Sequence, residues 1–410
     1  MNLPFYIARR YLFSKKSHNA VNIISMVSVC GVAVVTAALV CAMSVLNGFT
    51  DLTAQLFGYL DPEIKITPCT GKVFDPQDAR IQTICRLPEI AHYSEVLQDN
   101  ALIRYGGRQV IGTVKGVDAS YNQLVSIDSV LVDGRFALRE DVVDYATLGI
   151  GLAYSLGIRP GFSSPIEIYV PKRDERVNMS NPAASLVPGY AYIAGVFRIN
   201  QQSYDETYMI VPLELARSLF LYEREVSALE LKVMPNASVS AVKKHIQEIA
   251  GDNYAVQDRY EQQADAFKMM QVEKMMIFLI LCFILAIALF NVVGSLSMLM
   301  VEKQEDVKTL RNMGADDRLI KRIFLFEGWM IAALGALGGI AAGLILCALQ
   351  IHFGLIRLDQ GGGNFIVDVY PVKIMPQDIV LSFATVLTIG FLSSLYAVRY
   401  LRDKSQELSG

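Results

Sequence analysis

The sequence predicts an α-helical membrane protein with four transmembrane helices and an α+β domain of two subdomains inserted between the first and second. Three observations predict it. The chain has 53% hydrophobic and 19% charged residues over 410 positions, too apolar for an ordinary soluble protein and too polar to lie wholly in a bilayer. Four apolar stretches, residues 21–47, 275–301, 323–352 and 377–400, are each long enough as helices to cross roughly 30 Å of hydrocarbon. Between the first two, residues 48–274 switch to short alternating strands and short helices bounded by Gly, Pro and Asp.

The elements follow in order. Residues 1–20 hold an interfacial helix with Phe5, Ala8, Tyr11 and Leu12 on one face and Arg9 and Arg10 on the other. The first span has no ionisable residue and continues past Asn47 through Leu52, Leu56 and Leu60, as a helix that projects beyond the bilayer would. After Asp61-Pro62, residues 63–67 alternate as a strand, Asp75-Pro76 cap a helix through Leu87, and residues 109–117 form another strand. Ala146–Gly157 reads as a helix with a glycine stop, and residues 164–170 and 192–197 as strands. Between those strands lies a long loop with Pro171, Pro182, Pro188 and a Lys172-Arg173-Asp174-Glu175-Arg176 run. A strand at 209–212 feeds a helix at 213–221, then 228–234, 239–250 and 254–257 repeat strand, helix, strand. From Glu261 a helix enters the second span with Phe267 and Met270 on its way in.

The segment 302–322 is charged but patterned. Val307, Leu310 and Met313 recur every three residues, as a helix with one buried stripe requires, and Gly314 stops it. Glu302, Glu305 and Asp306 open the helix and Lys308 and Arg311 follow, which suits its macrodipole. Gly314-Ala315 joins it to a second helix that re-enters the bilayer at Ile323. An amphipathic connector satisfies this pattern, and so does a handle that a soluble partner grips. In the third span Gly335, Gly339 and Gly343 at four-residue spacing let another helix approach closely. An outer loop, 353–376, and a short tail, 401–410, complete the chain.

Lys and Arg flank the first span, fill the 302–322 loop and follow the last span, so by the positive-inside rule both termini and that loop are cytoplasmic and 48–274 faces outward. The first apolar run is far longer than a signal-peptide core, so it is expected to remain as an anchor. Net charge is −3 and no basic tract interleaved with aromatics occurs, which argues against a nucleic-acid partner. No phosphate-loop motif, metal-ligand spacing or nucleophile-base constellation is present, and the spans carry no ionisable residue at their centres. Cys69 and Cys85, both in the outward domain, could pair. The expectation is a membrane component that binds no cofactor, is not an enzyme, and draws its energy from outside.

The opening FYIARRYL, NIISMVSVCGVAVVTAALVCAMSVLNGF and DPEIKIT closely resembles the lipoprotein-releasing (LolC/LolE) permeases, within the wider group of ABC permeases that includes the macrolide exporter MacB and the division protein FtsX. LGIGLAYSLGIRPG at 148–161, YMIVPLELARSLF at 208–220 and EKQEDVKTLRNMGADDRLIKRIFLFEG at 302–328 extend the resemblance along essentially the whole chain. It implies an inner-membrane permease with a MacB-like periplasmic core domain. The helix at 302–313 would be a coupling helix seated in a separate ABC ATPase subunit (LolD-like), which binds ATP and Mg. Glu302, Glu305, Val307, Leu310, Arg311, Met313, Gly314 and Ala315 are then the coupling residues. A second permease copy or a sibling permease completes the unit. The hairpin that recruits a periplasmic lipoprotein carrier (LolA-like) maps to Lys172, Arg173, Met179, Pro182 and Pro188, although its charge and Asn content depart from the family pattern.

An apolar cleft, open sideways to the lipid, would take the acyl chains of a lipoprotein at the outer ends of the first two spans, lined by Met43, Leu46, Phe49, Phe267 and Met270. The alternatives are a MacB-like exporter of peptides or small molecules and an FtsX-like scaffold that transports nothing and activates a cell-wall hydrolase.

Overall fold

In the computed structural model, which describes residues 3–12, 20–158, 164–173, 185–357 and 369–407, all four apolar stretches are helical, and two of them run far past the bilayer length. Helix α2 (Ala20–Phe57) has 38 residues and α10 (Ala264–Glu302) has 39, so at 1.5 Å per residue each is about 57 Å long. With α12 (Asp317–Phe353) and α13 (Pro376–Glu407) they make four helices long and apolar enough to cross a membrane. Two units result: Met1–Asp51 with Lys268–Gly410, and Leu52–Phe267.

In the first unit Val32, Leu285, Leu289, Val292, Ile331, Ala336 and Val386 meet in one buried cluster drawn from α2, α10, α12 and α13. The predicted glycine stripe faces α2. A Cβ on Gly335 would lie 2.7 Å from the Val32 Cβ, and one on Gly339 would lie 2.4 Å from the Ala33 carbonyl oxygen, so the backbones touch and only glycine fits. Helix α1 (Leu3–Leu12) packs along α12, with Ala8 buried beside Ile323 and Met330 and Phe5 edge-on to Phe326. Arg9 and Arg10 stay exposed.

The second unit is built on strands β1 (Ile64–Pro68), β2 (Ile90–Tyr105), β3 (Arg108–Val117), β4 (Leu131–Gly134), β5 (Arg139–Glu140), β6 (Val143–Gly149), β7 (Ile166–Pro171), β8 (Leu186–Phe197), β9 (Tyr208–Pro212), β10 (Ala228–Val233) and β11 (Tyr254–Asp258). The spatial order is β11-β1-β10-β2-β3-β9-β6-β8-β4, and β7 pairs with both β2 and β8. Strands β2, β3, β9, β6, β8 and β7 therefore close into a ring. Strand β2 serves twice: its first half pairs with β10 and its second half with β3 and β7. Two apolar clusters flank it. One gathers Leu97, Ile103, Leu148, Ile168, Met209 and Ala216 with α5 (Ile150–Leu156) and α7 (Leu213–Phe220). The other packs Ile64, Ile66, Leu229 and Leu231 against α3 (Ala79–Cys85) and α8 (Val239–Ala250).

Several expectations are corrected. Ala146–Gly157 is not one helix: Val143–Gly149 is β6 and only Ile150–Leu156 is helical. Parallel pairing of Tyr145–Gly149 with β8 overrides the local helical pattern, and Gly149 is needed because a Cβ there would lie 2.4 Å from the Asp205 carbonyl. Helix α3 starts at Ala79, capped by the Asp78 carboxylate accepting from the Arg80 N–H, rather than at Asp75-Pro76. The helix into the second span starts at Ala264; Arg259–Gln262 form a separate turn, α9, closed by a capping box between Asp258 and Glu261. Pro188 is not in a loop: it pairs with Tyr169 across the β7–β8 ladder. Cys69 and Cys85 are both free thiols.

Candidate coupling site and outer helix ends

Helix α10 ends at Glu302 and α11 spans Gln304–Asn312, so Lys303 alone separates them, with φ −89° and ψ 15°. Its ammonium lies 3.4 Å from Asp306. The far end is closed as the sequence anticipates: Gly314 has φ +91°, and the Ala315 N–H donates to the Leu310 carbonyl at 3.0 Å. Asp316 then caps α12 by accepting from the Leu319 N–H at 2.8 Å, and Arg311 pairs with Asp317 at 2.9 Å. A helix-turn-helix capped at both sides of the turn results.

The eight predicted coupling residues divide between two faces. Val307 packs with Leu299, Ile320, Phe324 and Val398, and Leu310 with Ile323 and Met330, so these two seat α11 on the bundle. Glu302, Glu305, Arg311 and Gly314 are exposed, Ala315 is half-buried, and Met313 is 71% exposed at the tip. The surface offered outward is thus charged with one apolar knob. A few residues further on, within the third span, Glu327 is completely buried (0% exposed), and neither carboxylate oxygen has a hydrogen-bond partner among the described residues.

At the other end of the first unit, polar groups tie three helices. The Asn47 side chain of α2 donates to Asp378 of α13 at 2.5 Å, and Lys274 of α10 reaches Asn47 at 2.8 Å and both Asp378 oxygens at 3.0 and 3.1 Å. Lys373 pairs with Asp51 and its N–H donates to the Ser44 carbonyl. A Cβ on Gly48 would lie 2.4 Å from the Pro371 carbonyl, so glycine lets this segment lie against α2. Of the predicted cleft residues, Met43 is buried and Phe49 stacks edge-on against Tyr370, centroids 5.0 Å apart. Leu46 and Met270 are half-buried. Phe267 is buried against Phe57 and Tyr260. Met43 and Phe267 are therefore packing residues here, whereas Met269, Met276, Leu279, Phe283 and Phe290 form an exposed apolar face along α10.

In the second unit the residues just after α2 and just before α10 meet on one carboxylate. Tyr204 donates to Asp61 at 2.5 Å, and the Gln263 amide donates to Asp61 at 3.0 Å and to the Tyr204 oxygen at 2.7 Å. Burial, reinforced by Asp61, pushes the Tyr204 hydroxyl far above its ordinary pKa, so it stays a donor. Beside it, Lys115 of β3 lies 2.8 Å from Glu230 of β10 and 2.8 Å from the Tyr121 hydroxyl. Burial alone would favour neutral lysine, but Glu230 and Tyr121 hold Lys115 above its ordinary pKa. A polar cavity of about 230 Å³, lined by Asp61, Lys65, Lys115, Tyr204 and Gln263 among others, adjoins these groups. None of Asn47, Asp61, Lys274 or Asp378 stands out in the sequence, because each is an ordinary polar residue until the fold pairs it.

Two contacts lie at the ends of the predicted carrier hairpin. The Lys172 N–H donates to the Ser185 carbonyl at 2.8 Å, and the Arg173 guanidinium lies over the Tyr222 ring at 4.2 Å. Met179 and Pro182 lie outside the described residues.

Residues 25–249 match the family described as MacB-like periplasmic core domain, and residues 278–406 that described as FtsX-like permease C-terminal. The chain is 26% identical to the lipoprotein-releasing system transmembrane protein LolC of Neisseria meningitidis serogroup B, over 97% of this chain and 96% of the relative. It is 25% identical to LolE of Haemophilus influenzae over the same shares. Among solved structures, the periplasmic region of MacB from Actinobacillus actinomycetemcomitans covers 54% of this chain and 98% of its own, at 13% identity and a TM-score of 0.35.

Proposed function

Because this chain belongs to the MacB-like periplasmic core domain family, here joined to an FtsX-like permease C-terminal region, we propose that it is the membrane permease of a lipoprotein-releasing ABC transporter. The observation that carries this is similarity to LolC and LolE along nearly the full length of both partners, not over one domain. The chain would be a multi-pass inner-membrane protein with both termini cytoplasmic and Leu52–Phe267 in the periplasm as two subdomains sharing β2. It works as a passive lever, with ATP and Mg held by a separate ATPase subunit.

Each buried acyl CH₂ contributes about 0.8 kcal/mol, so two or three lipid chains hold a lipoprotein in the bilayer by tens of kcal/mol. Such chains must pass from lipid to carrier without meeting water. The exposed apolar face of α10 offers the receiving surface, closed by a second permease copy or a sibling. The ATPase grips the outward face of α11 around Glu305, Arg311 and Met313. Val307 and Leu310 pass its displacement into the bundle, and α2 and α10, unbroken for 38 and 39 residues, carry it outward. The clasp of Asp61, Tyr204 and Gln263 joins the outer continuations of both helices, so they move together. In this reading the segment that begins at Lys172 and Arg173 recruits a periplasmic carrier.

The test is release from proteoliposomes holding this permease, its ATPase partner and a lipoprotein, with a soluble carrier outside. Added ATP should move lipoprotein to the carrier, and Met313→Glu should stop the transfer while the permease remains inserted. ATP-independent transfer, or normal lipoprotein sorting in cells depleted of this chain, would refute the assignment.

A further inference from the structure

Glu327 is the group in the bundle that the lever mechanism leaves unused. Its neighbour Gly328 packs on the Ser394 hydroxyl and Leu296; one turn earlier Phe324 joins Leu299, Ile320 and Val398; Ile323 and Met330 pack on Ala8. Helices α1, α10 and α13 therefore pack around this stretch of α12. A carboxyl with no donor among the described residues is disfavoured in such surroundings, and a glutamine or methionine would fill the space with less desolvation. Packing alone does not account for it.

A cation stands within reach. Lys303 occupies the one-residue break between α10 and α11. Its present pair with Asp306 is loose, 3.4 Å apart with the side chains 31% and 50% exposed, and such pairs contribute little. Leu299 and Phe324 lie at one level, sharing a cluster on helices of opposite direction. Lys303 is four residues beyond that level on one side and Glu327 three residues on the other, about 10 Å along the axis in all. The four-carbon lysine stem and the glutamate stem together span about that distance.

We propose that Glu327 is the second seat of Lys303: when the ATPase displaces α11, Lys303 leaves Asp306 and pairs with Glu327, drawing α11 into register with α10. Glu327 is then a positioning residue of the transport cycle, one that holds the Lys303 ammonium in only one of two states. This inference rests on the coupling role assigned above to α11.

The test uses the complete permease–ATPase complex in proteoliposomes. Glu327→Gln should assemble and hydrolyse ATP but lose about tenfold or more of ATP-driven release, as should Lys303→Glu, and Glu327→Lys combined with Lys303→Glu should recover it, a coupling that independent sites do not show. In a background with the six native cysteines replaced, a bifunctional thiol reagent long enough to replace both stems should join Lys303→Cys to Glu327→Cys in the ATP-trapped complex and not in the nucleotide-free one. Normal release by Glu327→Gln while Met313→Glu abolishes it would overturn the second seat alone. Cross-linking that ignores nucleotide, or failure of the swapped pair to recover while the protein is folded, would overturn it as well. If Met313→Glu also releases normally, the coupling role itself falls, and this inference with it.

Discussion

Replacing Glu230 with glutamine is the sharpest test of how the outer domain is held together. The Lys115 and Glu230 side chains are only 6% and 1% exposed. Without the carboxylate, the Lys115 ammonium keeps the Tyr121 hydroxyl at 2.8 Å and that ring's face at 4.8 Å, but loses its direct ion pair. Removing one partner of a buried pair costs about 3–5 kcal/mol. For a unit of this size, about 2–4 °C of melting temperature accompanies each kcal/mol, so Glu230→Gln should lower the domain transition by about 6–20 °C. Lys115→Met with Glu230→Leu removes both charges and should restore part of the loss, because apolar replacement of a whole buried pair is often neutral, while Lys65, which faces Glu230 across β1–β10, still loses that carboxylate. The assay is differential scanning calorimetry of the full chain in detergent, with hydrogen exchange at β3 and β10 to assign the transition. A single-variant shift under about 2 °C would mean that the pair contributes less than 1 kcal/mol, and would refute the reasoning.

Three further outcomes are expected. Gly339→Leu puts a side chain where even a Cβ lies 2.4 Å from the Ala33 carbonyl, so α2 and α12 must separate; the yield of monodisperse protein on size-exclusion chromatography should collapse, while Gly294→Ala, with open space around its Cβ position, should not change it. Gly314→Pro cannot adopt φ +91°, and Leu310→Asp unseats α11; both should abolish ATP-driven release with insertion intact, as read by release and by protease protection of Leu52–Phe267. The Arg80 N–H and the Tyr254 hydroxyl hold the Asp78 carboxyl below the usual carboxylate range, so its folded pKa is depressed. Its contribution to stability is complete above about pH 4 and is lost as pH falls through the folded value; Asp78→Asn should flatten the acid limb of the stability curve, and an unchanged limb would count against the cap.

The parts legible in the sequence are those governed by local period and punctuation. Val307, Leu310, Met313 and Gly314 gave the central helix and its stop, the glycines at 335, 339 and 343 gave a close helix contact, and Val239–Ala250 was read to the residue because its apolar stripe and Gly251 agree. What escaped depends on partners distant in the chain. Residues 143–149 pair with β8 and β9 and so abandon their helical pattern. Strand β2 was not anticipated because its two halves answer to different neighbours. In the site, period alone could not say that Val307 and Leu310 face the bundle while Met313 faces out, since all three share one stripe. Met43 and Phe267 look like cleft residues until their neighbours are known. Glu327, four residues into its apolar run, passes for a helix-end charge until its burial is seen.

The double use of β2 also fixes an order of assembly. The cluster around α3 and α8 draws β1, α3 and the first half of β2 from before residue 97, and β10, α8 and β11 from after residue 227. A chain emerging amino-terminus first cannot finish that half until the ring, made by residues 97–220, has been delivered and closed beside it. The Ile90–Val96 edge must therefore wait unpaired, and an edge that waits invites pairing with a neighbouring molecule. Slow synthesis through the ring should be tolerated, whereas truncation shortly before residue 228 should leave an adhesive strand.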